Sequence, residues 1–155
     1  MLDTKSPLIS EFLKDHQQFS RLLYEISRLL SDGKVEDAKK RARELNEMAG
    51  PHIAYEETEL YPRLALLGER SVTEEMLVDQ HHEALDAVRI LIDEQEIDES
   101  RLEEVKQGFA GALSHAEHCG SLISLMSRLN PEQQAESLLE LKRLRDEGSK
   151  WTELE

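Results

Sequence analysis

Six histidines, one cysteine and several glutamates are the residues of this chain that could hold a metal ion. The histidines are His16, His52, His81, His82, His115 and His118. His52 and Glu56 are four residues apart, so on a helix both project from one face and offer a nitrogen and an oxygen to the same centre. His115 and Cys119 have the same spacing. Glu59 follows Glu56 by one further turn.

Whether these side chains point inward depends on the apolar residues around them. When His16 is aligned with His81, Phe12 meets Leu77 and Leu13 meets Val78. Phe19, Leu22, Leu23 and Ile26 then meet Ala84, Ala87, Val88 and Leu91. Aligning His16 with His82 instead sets Leu13 against Asp79 and Leu23 against Arg89. The first register keeps apolar with apolar, so His81 is predicted inside and His82 at the rim. One histidine on an apolar stripe is ordinarily a hydrogen-bonded core residue. Four of them, one per helix, need partners that this core otherwise lacks, and a metal satisfies them together.

The elements that position these residues read as helices. Ser6 and Pro7 open the first, which runs to Leu30 and stops at Asp32-Gly33. The second is predicted from Val35 to Leu67, with a kink or bulge at Gly50-Pro51, a second disturbance at Pro62, and an end at Gly68. Ser71-x-x-Glu74 caps a third, continuing to Gln95. Ser100-x-x-Glu103 caps a fourth that reaches Leu129. Asn130-Pro131 opens a shorter fifth helix ending near Gly148, before a tail with Trp151. Short links make consecutive helices antiparallel neighbours. The predicted fold is therefore all-α: one domain over residues 1–155, an up-down-up-down antiparallel four-helix bundle (6–130) with a short C-terminal helix and tail (131–155).

The composition agrees. Charged residues are 34% and aromatics 5%, with seven glycines and four prolines, a balance that favours helix. A net charge of −14 repels phosphate backbones and anionic lipid surfaces, which argues against nucleic-acid and membrane partners. The lone Cys119 cannot form an internal disulfide. The opening MLDTKSPLIS does not read as a signal peptide, and no apolar run approaches the ~20 residues of a membrane span. The expected location is cytoplasmic. Acidic runs such as Glu94 to Glu99, and Glu57 with them, read as solvated faces.

The segment His52-Ile-Ala-Tyr-Glu56-Glu57-Thr-Glu59-Leu60-Tyr61-Pro62 resembles the H-x-x-x-E-E-x-x-L-F-P segment of the hemerythrin-like (HHE cation-binding) family. Asp15-His16 with Phe19 resembles its first-helix motif, and Gln80-His81-His82-Glu83 its third. His115 with Ile123 takes the fourth-helix position. The likeness spans about residues 8–130 and implies a non-heme di-iron centre bridged by two carboxylates. Carried over position by position, the ligands are His16, His52, Glu56, His81 and His115, with Glu56 bridging.

This chain departs from the family pattern at Cys119, where a carboxylate is expected. Three outcomes stay open. Glu59 supplies the second carboxylate; or Cys119 ligates as thiolate and shifts preference toward zinc; or one metal is lost and the site is mononuclear. His82 and His118 are spare donors beside the core positions. The extra histidine of oxygen carriers, one turn after His81, is Leu85 here, which argues against reversible oxygen carriage. The implied function is iron binding to sense, store or react with a small diatomic or peroxide ligand: O2, NO or peroxide. A second reading is a helical interaction module, its metal structural or vestigial, displaying an apolar strip on the fifth helix and Trp151. A classical enzyme would need an open cavity beside the metal and a route for electrons, and the sequence shows neither. Homodimerisation stays open.

Overall fold

The computed structural model describes residues 6–66, 74–120 and 122–154; the side chains of Glu74, His118, Cys119 and Gly120 are outside that description. Every regular element among them is helical. Helix α1 spans Pro7–Ser31 and α2 spans Val35–Tyr55. A π-helical turn follows at Glu56–Leu60, then α3 at Tyr61–Ala65. Next come α4 (Glu74–Asp93), α5 (Glu99–Gly120), the short α6 (Ile123–Met126) and α7 (Pro131–Glu147). A 3-10 turn at Trp151–Glu153 ends the described chain. No helix among the described residues is long and apolar enough to cross a membrane.

Contacts run in a ring: α1 on α2, α2 on α4, α4 on α5 and α5 on α1. Inside it lie Phe19, Leu22, Leu23 and Ile26 of α1, Ala42, Leu45 and Ala49 of α2, Ala84, Val88 and Leu91 of α4, and Phe109 and Ala112 of α5, all buried. Gly108 faces Ala87 so closely that a Cβ on the glycine would lie 2.4 Å from the alanine methyl. That absence lets α4 and α5 approach along the faces that carry His81 and His115.

Helix boundaries follow local chemistry. Ser6 Oγ accepts from the Ile9 amide at the start of α1. Asn130 and Gln133 form a reciprocal capping box on α7, and Gly148 ends it in the left-handed region (φ 65°). The fourth predicted helix differs at both ends. Asp98, not Ser100, caps α5 by accepting from the Arg101 amide at 2.8 Å, so the helix begins at Glu99. At its far end α5 stops at Gly120, and the chain resumes helix at Ile123 instead of running unbroken to Leu129. The predicted cap at Ser71 and the stop at Gly68 lie outside the described residues.

The fault in the second helix is displaced. Helix α2 passes through Gly50-Pro51 without interruption. Glu47, whose carbonyl loses its partner to Pro51, lies on the exposed side where water can replace it. The irregularity falls at Glu56–Leu60 instead, just ahead of Pro62. Pro62 has no amide to donate, and the Tyr61 amide reaches back five residues to the Glu56 carbonyl.

The C-terminal region is folded back onto the chain. Ser137 and Tyr55 share a buried hydrogen bond of 2.6 Å, and Arg145 pairs with Glu11 and Asp15. Trp151 is buried edge-on against Phe19. Asn46 receives the Thr152 amide and donates to its hydroxyl. The predicted display of Trp151 for a partner is therefore not observed; Leu139 is the large apolar residue of α7 left exposed.

Candidate metal centre

Four imidazoles and one carboxylate are buried between the helices of the ring. His16 comes from α1, His52 from α2, His81 from α4 and His115 from α5, and Glu56 opens the π-helical turn. Glu56, His81 and His115 bring one potential ligand atom each within 4.8 Å of one another. Oε1 of Glu56 lies 3.3 Å from Nε2 of His52 and 3.6 Å from Nε2 of His81. The rings of His81 and His115 meet edge-on, 4.3 Å between centroids. The ring of His16 lies 6.0 Å from that of His52. Phe12 and Phe19 line this second side, each packed against His52.

Hydrogen bonds orient two of the rings. Nδ1 of His81 donates to Oε1 of Glu57 at 3.0 Å, and Nδ1 of His115 donates to Oε1 of Gln80 at 2.7 Å. Donation from Nδ1 leaves the lone pair on Nε2, the tautomer a metal ligand needs. The Tyr61 hydroxyl completes this side, 3.2 Å from Oε2 of Glu56 and 3.3 Å from Nε2 of His81.

Charge is balanced locally. Burial pushes the Glu56 carboxyl up, but the three histidines His52, His81 and His115 hold it well below the usual carboxylate range. Burial pushes His81 down, yet its contacts with Glu56 and Glu57 raise it to about 9. Burial, helped by His52, lowers His16, which keeps that ring neutral despite Glu56.

The donor set fits a metal. His52 is 1% exposed, and both its ring nitrogens lack a hydrogen-bond partner. Its 3.3 Å approach to Glu56 is close but is not directed as a hydrogen bond. Nδ1 of His16 is buried without a partner as well. Unsatisfied buried nitrogens typically cost about 1–3 kcal/mol each, and a cation bound through one nitrogen of each ring offsets part of that cost.

Of the remaining candidates, the structure describes the side chains of His82 and Glu59. His82 is exposed and His81 buried, the arrangement that the apolar register predicts. Glu59 is not brought to the cluster as a second carboxylate. It pairs with Arg63, which also holds Glu136. Glu57 and Glu59 both lie in the π-helical turn, and Glu57 reaches Nδ1 of His81 while Glu56 lies on the Nε2 side. Glu57 is thus not a solvated face residue. The signal for it was Pro62, whose missing amide favours such a bulge. In the sequence Gln80 stands out only as a member of the Gln80-His81-His82-Glu83 run; on α4 it faces α5 and meets His115. The His118 and Cys119 side chains are outside the described residues.

The hemerythrin HHE cation binding domain model matches residues 7–118, more than half of the chain. The chain belongs to the hemerythrin HHE family, and the domain implies metal binding, typically of iron. No curated protein and no solved structure matches it.

Proposed function

We propose that this protein binds non-heme iron at His16, His52, Glu56, His81 and His115, within an up-down-up-down four-helix bundle, and uses it to sense, store or react with O2, NO or peroxide. The buried Glu56–His81–His115 group carries this reading, because its ligand atoms already lie close enough to share one ion. The ring of helix contacts supports the bundle. Imidazole and carboxylate donors suit iron in either common oxidation state.

Oε1 of Glu56 lies near Nε2 of both His52 and His81; if two irons bind, Glu56 would be shared between them, with His16 and His52 holding one and His81 and His115 the other. Bound iron supplies an open coordination position for a small ligand. The chain's own contribution is to keep the His16 ring neutral and Glu56 ionised, fix two rings through Glu57 and Gln80, and exclude water with Phe12 and Phe19.

The test is metal analysis of protein purified without a histidine tag, with optical spectra before and after exposure to air. Stoichiometric iron and a spectrum that changes on oxidation are expected. Iron-free protein that cannot be loaded with ferrous iron under anaerobic conditions would refute the reading.

A further inference from the structure

The five cluster residues are not equally sealed. His52, Glu56 and His81 are 1% exposed and His115 3%, whereas His16 is 9% exposed. His16 is among the residues that line a cleft of about 370 Å³ between α1 and α5. The walls are Ser20 and Tyr24, one and two turns along α1 from His16, facing Leu113, Ala116 and Glu117 of α5. Two other described cavities, at Ser6–Pro131 and at Glu25–Glu44, contain none of the five residues.

The lining has a chemical bias. Ser20 and Ala116 are small, which leaves space between the two helices beside His16. Tyr24 stands at the rim, 61% exposed and free to swing on its side-chain torsions. Among its described lining residues there is no lysine or arginine, and the one carboxylate is the exposed Glu117. With a net charge of −14 behind it, this mouth disfavours an approaching anion and is indifferent to an uncharged molecule.

We propose that small uncharged ligands reach the metal cluster through the cleft between α1 and α5, entering beside Tyr24 and arriving at His16, while Glu117 screens the mouth against anions. The proposal rests on the iron reading for what happens at the inner end, but the route is a property of the folded chain. It names the ligand class the site selects: neutral diatomic molecules and hydrogen peroxide ahead of azide, nitrite or other anions.

The test uses protein loaded with ferrous iron, with nitric oxide and azide as probes, and reads association rates by stopped-flow absorbance. Ser20→Trp lays an indole across the passage and should slow nitric oxide binding by at least about tenfold at unchanged iron content. Leu113→Trp, from the opposite wall, does the same if the first variant folds poorly. Tyr24→Ala should speed binding. Glu117→Gln should speed azide and leave nitric oxide unchanged, and added salt should mimic it for azide by screening. A second readout needs no iron. In the metal-free protein, diethyl pyrocarbonate should modify His16 ahead of His52, His81 and His115, with exposed His82 as the internal reference, and Ser20→Trp should protect His16. Equal nitric oxide rates in wild type and both tryptophan variants at equal iron content would overturn the route. So would His16 labelling that neither variant changes. If the wild type holds no iron, the iron reading falls, and the His16 labelling still decides the cleft.

Discussion

The Glu57 carboxylate lies 3.0 Å from Nδ1 of His81, on the side of the ring away from Glu56. The glutamate is adjacent in sequence to the carboxylate at the heart of the cluster, yet it acts from outside the imidazole. A regular α-helix would turn the two side chains about 100° apart. Here both lie in the π-helical turn and meet opposite nitrogens of one histidine.

Glu57→Ala should weaken metal binding by about 10- to 100-fold, the usual effect of removing a partner that orients a ligating histidine. Glu57→Gln, which can still accept from Nδ1, should fall between wild type and alanine. Chelator-competition titration measures this, and equal affinities in all three proteins would show that His81 needs no such support.

The same contacts set a pH dependence. His81 is raised from 6.5 to about 9, so in the metal-free protein its stabilisation is fully present below 6.5 and fades as pH rises through about 9. Glu56 is depressed, so its stabilisation is present above the ordinary 4.5 and is lost as pH falls through the depressed value. Metal must displace the His81 proton, so binding near neutral pH should release protons and affinity should climb toward pH 9. Calorimetry in buffers of differing ionisation enthalpy reads the proton release directly.

Much of this site was legible as a pattern of types. The alignment of α1 with α4 separated His81 from His82 because a helix repeats its faces, and a metal-binding residue shares the stripe of its apolar neighbours. What periodicity could not give was the break in it. Glu57 reaches His81, and Glu59 pairs with Arg63, within a five-residue stretch wound as a π-helix. Gly50-Pro51 and Pro62 are both sequence signals for a fault, and only packing decided between them. At Gly50 the fault is absent and the missing Cβ serves another purpose.

That purpose is the docking of the C-terminal segment. A Cβ at Gly50 would lie 1.8 Å from the Ser149 carbonyl oxygen, a backbone atom that can move only if the segment moves. Gly50→Ala should therefore lift residues 148–154, red-shift the emission of Trp151 and lower the melting temperature. Trp151→Ala should cost about 3–5 kcal/mol in urea unfolding, as for other buried aromatic truncations. Unchanged emission in Gly50→Ala would mean the segment is held elsewhere.

Cys119 stands where the family pattern expects a carboxylate, and its side chain is shorter than glutamate's by two heavy-atom bonds. Cys119→Glu should strengthen binding of a second iron, measured as iron per chain after anaerobic loading. If that variant binds no more iron than the parent, and Cys119→Ala loses metal altogether, the sulfur is itself a ligand.

The central claim is that iron binds among the buried histidines and Glu56, and anomalous diffraction at the iron absorption edge from crystals of iron-loaded protein tests it most directly. An anomalous peak bounded by Glu56, His81 and His115 is expected, with metal–nitrogen distances of ~2.1 Å by analogy with zinc–imidazole bonds. Iron located only at surface carboxylates, with the buried cluster empty in fully loaded protein, would contradict it.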